Sequence, residues 1–165
     1  MSMLREWRHL VVRFLDVLGS RRLSPAEQDD VAALLDSRAE SEAFWDQPVA
    51  DQRHGLAAAK YILGEVQANR SLARAALLHD IGKRHARLGV FGRSVAGAAR
   101  AFRLPAGGRI RAYLDHGDIG AKELESAGAE PLVVAFTRHH HGQVVPTGVS
   151  AADWALLSAA DHVSG

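Results

Sequence analysis

The residues with the most chemical content in this chain are His79 and Asp80, set in Ala-Ala-Leu-Leu-His79-Asp80-Ile-Gly82-Lys83. His54 lies upstream, and His116, the His139-His140 pair and Asp161 lie downstream, each on its own predicted helix. Imidazole nitrogens and carboxylate oxygens gathered from several helices are the donors that borderline divalent cations take. In mid-helix His79 and Asp80 would diverge by about 100°. At a helix end, which Gly82 predicts, both can turn toward one centre. An aspartate offers two oxygens, so Asp80 can bridge two ions. Asp161 brings a second carboxylate from the last helix and closes the site against His54 and His79. His116 and the His139-His140 pair would serve the second ion. Two cations about 3.5–4 Å apart clamp a water and lower its pKa from about 15.7 toward about 7, which gives hydroxide at neutral pH. Lys83 is placed to neutralise charge developing on a phosphoryl oxygen. An aspartate after a run of alanine and leucine is otherwise a costly buried charge. The pattern is that of a metal-dependent hydrolase, with Asp80 and Lys83 as its candidate catalytic groups.

The elements that must position these residues read as helices. Leu10, Val11, Phe14, Leu15 and Leu18 follow helical spacing, and Gly19 is a natural stop. Ser24-Pro25-Ala26-Glu27 is a capping box with proline in the first turn. Pro48 breaks the segment after Phe44 and Trp45, and Asp51 can cap a long helix through about Asn69 that carries His54. Ser71 opens a shorter apolar helix over Leu72 to Asp80, ended by Gly82. The glycine- and arginine-rich stretch from Lys83 to Pro105 predicts a helix over Val95 to Phe102 and loop elsewhere. Ile110 to Leu114 forms a helical turn leading to His116. Ile119 to Ala127 is helical and closed by Gly128. Pro131 starts the helix that ends in His139 and His140, and Ser150 caps the final helix, which holds Asp161. Alternating strand patterns are nearly missing.

The 165 residues, 47% of them hydrophobic, suit one domain with an adequate core. A division into N-terminal helices (1–50) packed on a metal-binding core (51–165) within that domain is expected. Cysteine is absent, which removes disulfides and thiolate ligands. The net charge of +1 argues neither for nor against a polyanionic partner. With aromatics at 6%, a base-stacking surface, and with it nucleic-acid binding, is not expected. The first 19 residues lack the apolar core and small-residue cleavage site of a secretory signal. No run approaches the ~20 apolar residues of a membrane span. A cytoplasmic protein without a membrane partner is the expectation. Trp7, Phe44, Trp45, Phe136 and Trp154 read as core; His9, His85, His141 and His162 carry no assigned role.

The set His54, His79-Asp80, His116, His139-His140 and Asp161 resembles the HD-domain metal-dependent phosphohydrolase superfamily. The string His79-Asp-Ile-Gly-Lys83 is similar to its HDIG branch, as are His116-Gly-Asp-Ile-Gly120-Ala121 and the closing Ala160-Asp161-His-Val-Ser164. The likeness runs from about Asp51 to Ser164. It implies an all-α, single-domain helical bundle with a central metal site. It also implies His54, His79, Asp80 and Asp161 on one ion, with Asp80 bridging toward His116 and one or both of His139 and His140. Members with the extra histidines usually bind two ions. The cyclic-dinucleotide branch follows its paired histidines with Gly-Tyr-Pro, which Val144-Val145-Pro146 does not match.

The resemblance implies a phosphohydrolase that opens a phosphomonoester or phosphodiester bond of a small phosphorylated substrate, a nucleotide above all, by metal-activated hydroxide. Manganese, iron, cobalt, nickel and zinc all suit the donors. A mixed-valent diiron oxygenase with a similar histidine and aspartate set, and a regulatory module without turnover, are the alternatives.

Overall fold

The computed structural model describes residues 21–66, 69–101, 104–142 and 144–163, without the side chains of 90, 91, 94, 100 and 101. The helix expected over Leu10 to Leu18, Trp7 and His9 lie outside them. Ser24 accepts from the Glu27 amide at 3.3 Å while the Glu27 carboxylate accepts from the Ser24 amide at 2.8 Å. This reciprocal cap starts α1 (Pro25–Leu34). Ser37 caps α2 (Arg38–Trp45) in the simpler way. There follow α3 (Val49–Glu65), α4 (Arg70–Leu78), a 3₁₀ helix (Ile81–Ala86), α5 (Val90–Ala101), α6 (Gly108–Leu114), α7 (His116–Ser126), α8 (Pro131–His139) and α9 (Ala151–Ala160). No strand occurs among the described residues. The fold is all-α.

The middle of the bundle is α4. Leu72 through Leu78 are all buried, because α3, α8, α9 and α1 all pack on this helix. One apolar cluster joins Leu23, just before α1, and Val31 and Phe44 of α1 and α2 to Leu78, Phe136 and Leu157. The charge that α4 carries inside this layer is Arg74, which pairs with the equally buried Glu40 and with Asp36 and Glu130. Buried charges need such partners. On the facing helix, a Cβ added to Gly55 would lie 2.6 Å from the Leu77 carbonyl oxygen. Only glycine permits that approach of α3 to α4, and it brings the neighbouring His54 against His79, with ring centroids 5.2 Å apart.

Several boundaries differ from the sequence expectation, each for a local reason. The Pro48 carbonyl accepts from the Asp51 and Gln52 amides, so α3 starts at Val49 and Asp51 is no cap. The Asp51 carboxylate instead receives both Arg93 guanidinium nitrogens at 2.6 Å. The helix ends at Glu65 rather than near Asn69, because the Asn69 side chain accepts from the Leu72 amide at 3.1 Å and caps α4. Ser71 is therefore within α4. Gly82 does not end a helix; it lies inside the 3₁₀ turn. The α5 helix begins at Val90, five residues before the expected Val95, and α7 begins at His116 itself rather than Ile119. Gly128 does terminate α7 in the left-handed region, φ 74°. Phe44, Phe136 and Trp154 are core residues, whereas Trp45 is 38% exposed.

Candidate metal centre

Helix ends build this centre. His79 is the C-terminal cap of α4, His140 that of α8 and Asp161 that of α9, while His116 sits at the junction of α6 and α7. His54 comes from the second turn of α3. The junctions are drawn together by glycine. A Cβ on Gly82 would fall 2.0 Å from the His116 carbonyl oxygen and 2.8 Å from the Gly120 amide nitrogen. One on Gly117 would fall 2.9 Å from the Thr137 carbonyl oxygen. The first contact lays the turn after Asp80 against α7, and the second lays α7 against α8.

Asp80 is the hub. It is 2% exposed and His79 beside it is 0% exposed. Asp80 Oδ2 faces His79 Nε2 at 3.4 Å and also receives the Lys83 ammonium. Oδ1 faces His116 Nε2 at 3.1 Å and His140 Nε2 at 3.5 Å. On the first side, Asp161 Oδ1 lies 2.9 Å from His79 Nε2 and 3.3 Å from His54 Nε2. Among the described residues the structure thus gathers two triads, His54-His79-Asp161 and His116-His140-His141, and a third group, His79-Asp80-His140, that links them. Within each group the donors, one atom per residue, lie within 4.8 Å of one another.

The hydrogen bonds behind the rings decide which nitrogen faces inward. Nδ1 lies 3.2 Å from the Val163 carbonyl in His54, 2.8 Å from that of Ala76 in His79, 2.6 Å from that of Tyr113 in His116 and 2.9 Å from that of Thr137 in His140. A carbonyl oxygen only accepts, so each Nδ1 carries a hydrogen and each ring, when neutral, turns a bare Nε2 lone pair to the middle. Two of these, His116 Nε2 and His140 Nε2, meet at 3.2 Å. Neither can donate to the other in that tautomer. Among the described residues His79 Nε2 and Asp80 Oδ1 are buried without a hydrogen-bond partner. Lone pairs and carboxylate oxygens pointed at one another are what a divalent cation satisfies, and outer carbonyl bonds of this kind orient metal-ligating histidines. The donor set fits such a cation.

Charge in the site runs the same way. With no cation between them, and against its burial, Asp80 and Asp161 hold the His79 imidazole above its usual value. Burial would raise the Asp80 carboxyl, but the protonated His79, Lys83 and the facing His116 outweigh it and hold it well below the usual carboxylate range. Asp161 behaves alike: burial opposes ionisation, and the imidazoles of His54 and His79 facing its Oδ1 more than offset it. His140 is pushed down to about 2, by burial first and by the charge of His79 second. It stays a neutral donor.

Of the expected site residues, the structure brings His54, His79, Asp80, Lys83, His116, His140 and Asp161 together. His139 does not join them. Consecutive residues at the end of α8 point about 100° apart, so with His140 turned inward His139 is exposed, beside Ala129, Pro131, Val134 and Pro146 on an outer groove. His141 takes the place given to it, its ring 4.0 Å from that of His140 and 4.9 Å from that of His116. The available signal for His141 was Gly142 just after the triplet, which puts His141 past the end of α8. Accordingly, His139→Ala should leave metal content unchanged and turnover within about twofold of the parent. His141→Ala should weaken divalent-metal binding at the His116-His140-His141 group by about tenfold or more, the scale of losing even an outer-shell partner. Metal titration of the two variants checks this; the reverse ranking would return His139 to the site.

The family described as Cas3, HD domain matches residues 31–162, about four-fifths of the chain. The chain belongs to this HD-domain family. No curated protein and no solved structure matches it. HD domains are commonly metal-dependent hydrolases, and the Cas3 HD domain belongs to a nucleic-acid nuclease. The matched family is thus Cas3-type, whereas the His79–Lys83 string by itself resembles the HDIG branch. Scarcity of aromatics bears on base stacking alone and does not exclude a partner held by its phosphates. No described helix is long and apolar enough to cross a membrane.

Proposed function

We propose that this HD domain is a two-metal phosphoesterase hydrolysing a phosphodiester or phosphomonoester bond in a nucleotide-containing substrate. The observation that carries the reading is the pair of Asp80 oxygens, each turned to a different set of imidazoles. In this reading His54, His79 and Asp161 would hold one ion and His116, His140 and His141 the other, with the Asp80 carboxylate shared between them. Divalent ions bound there supply Lewis acidity for a phosphoryl oxygen and for a water. The four Nδ1–carbonyl bonds keep the donors aimed before any ligand arrives, so little reorganisation is required at reaction. Burial of Asp80 and His79 excludes bulk water and strengthens every charge interaction in the site. Lys83, partly exposed and 5.9 Å from the Tyr113 ring centroid, is a cation already at the hub. Its ammonium can pass from Asp80 Oδ2 to a phosphoryl oxygen and oppose the charge that develops there.

The test is a metal-by-substrate panel. Protein purified without chelator is stripped, reloaded with manganese, iron, cobalt, nickel or zinc, and assayed on p-nitrophenyl phosphate, bis(p-nitrophenyl) phosphate, nucleotides and an oligonucleotide. Metal-dependent release from at least one phosphoester is expected. No turnover with any metal, together with oxygen uptake by the iron form, would replace this reading by the diiron oxygenase.

A further inference from the structure

The metal centre is sealed on its Asp80 side. His79, Asp80, His116 and His140 are each no more than 7% exposed, while His54 and Asp161, at one rim, are half-buried. A phosphoester has to come within reach of Asp80 and its imidazoles, so an element beside them has to move. Most of the fold is unsuited to that. The helices α1 to α4 and α7 to α9 all supply residues to the apolar cluster, and moving any of them would open it to water. The stretch between differs: no described residue between Ile81 and Ala121 belongs to the cluster.

Within that stretch the parts are held unequally. The 3₁₀ helix packs on α7 and α6, and its Arg84 pairs with Asp46 and Glu123. The α6 helix is tied to it in turn, Arg109 Nε donating to the Ala86 carbonyl at 2.7 Å. By contrast α5 packs chiefly on α6. It buries two small side chains, Ala96 and Ala99, and leaves Val95 53% exposed. Left-handed residues stand on both sides of it, Arg87 at φ 47° and Gly108 at φ 54°, and hinge motions are absorbed by a few residues at element ends. Among the described side chains, one ion pair joins α5 to the body of the domain, Arg93 to Asp51. Asp51 lies in the first turn of α3, three residues before His54 and on the same face. Burial would lower the Arg93 guanidinium, but the Asp51 hydrogen bonds and charge raise it, with Tyr113 and Asp80 adding to them. The pair therefore closes beside the hub.

Building on the phosphoesterase reading, we propose that α5 is a strap across the mouth of the metal centre, latched to α3 by the Arg93–Asp51 pair and lifted to admit the substrate. Few apolar contacts and one polar latch keep the free energy of local opening well below that of unfolding the domain, which is what a moving element needs. The latch is a bidentate charged pair, so it fixes one shut position as well as adding strength. Shut over a bound substrate, the strap keeps bulk water from the charges around Asp80.

The chain contains no cysteine, so Asp51→Cys with Arg93→Cys can be joined by a reductant-cleavable bismaleimide at those two positions and nowhere else. Loaded with metal, the linked protein should lose most of its turnover of bis(p-nitrophenyl) phosphate and regain it when the linker is cut, with metal content the same in both states. Equal turnover before and after cutting would overturn the proposal. Asp51→Asn tests the latch with neither metal nor substrate. In chelator, amide hydrogen exchange over α5 should quicken by about tenfold or more, the scale of losing one hydrogen bond to a charged group, while α4 stays as in the parent. Unchanged exchange in α5, or an equal rise in α4, would count against the strap, because a latch acts on the element it holds. Absence of phosphoester turnover in the parent with every metal would instead sink the phosphoesterase reading, and the exchange arm is independent of it.

Discussion

Asp80→Asn should yield a folded chain that retains neither ion and turns over no phosphoester. The carboxylate is the group that both triads share, its two oxygens facing His79 on one side and His116 and His140 on the other. A carboxamide of the same shape keeps one acceptor oxygen but places an NH2 where the other stood, against nitrogens that need a cation there. Removing a single charge-stabilising donor from an active site typically costs about 10²–10³ in kcat. Loss of the bridging anion should reach or exceed the upper end. His54→Ala is the useful contrast: it touches one triad, so half of the metal should survive. Metal analysis of both variants with parallel assays checks the ranking. Retention of both ions and full activity by Asp80→Asn would refute the bridging role.

The second large effect is steric and lies at Gly82. An alanine Cβ there meets backbone on two sides, the His116 carbonyl oxygen at 2.0 Å and the Gly120 amide at 2.8 Å. No side chain can give way, so α7 must move off the 3₁₀ turn. Overpacking of this kind costs about 3 kcal/mol or more, and at about 2–4 °C per kcal/mol for a chain of this size Tm should fall by about 6–12 °C. The displacement carries His116 away from Asp80, so the His116-His140-His141 ion should be lost before the other. Gly97→Ala is the control, since nothing lies within 4 Å of the point its new methyl would occupy and a mid-helix alanine is favoured by about 0.4–1 kcal/mol. Calorimetry with metal titration decides; equal Tm in the two variants would show that α7 does not lean on Gly82.

The all-helical architecture was legible because each start signal is local. Ser24-Pro25-Ala26-Glu27 and Ser150 act through bonds within three residues, and the structure repeats them. The histidine and aspartate spacing likewise pointed to a shared centre. What sequence could not specify was long-range. Asp51 looks like a cap until Arg93, 42 residues on, takes both of its oxygens. Gly82 looks like a helix stop until α7 arrives against it. Within His139-His140-His141 the choice depends on where α8 ends, and a one-residue shift turns a ligand to the outside. The arginine-rich character of Lys83 to Pro105 was legible, but not the carboxylates from other helices that Arg84 and Arg93 meet, Glu123 and Asp51.

The rear contacts of the histidines have one more consequence. Ala76, Tyr113 and Thr137 lie in the last turns of α4, α6 and α8, where a helix leaves its final carbonyls unclaimed. His79, His116 and His140 claim them. The groups that finish these helices and the groups that aim the donors are therefore the same. An alanine at any of the three removes a helix terminator along with a ligand, so this scaffold cannot shed its chemistry without also loosening its own ends.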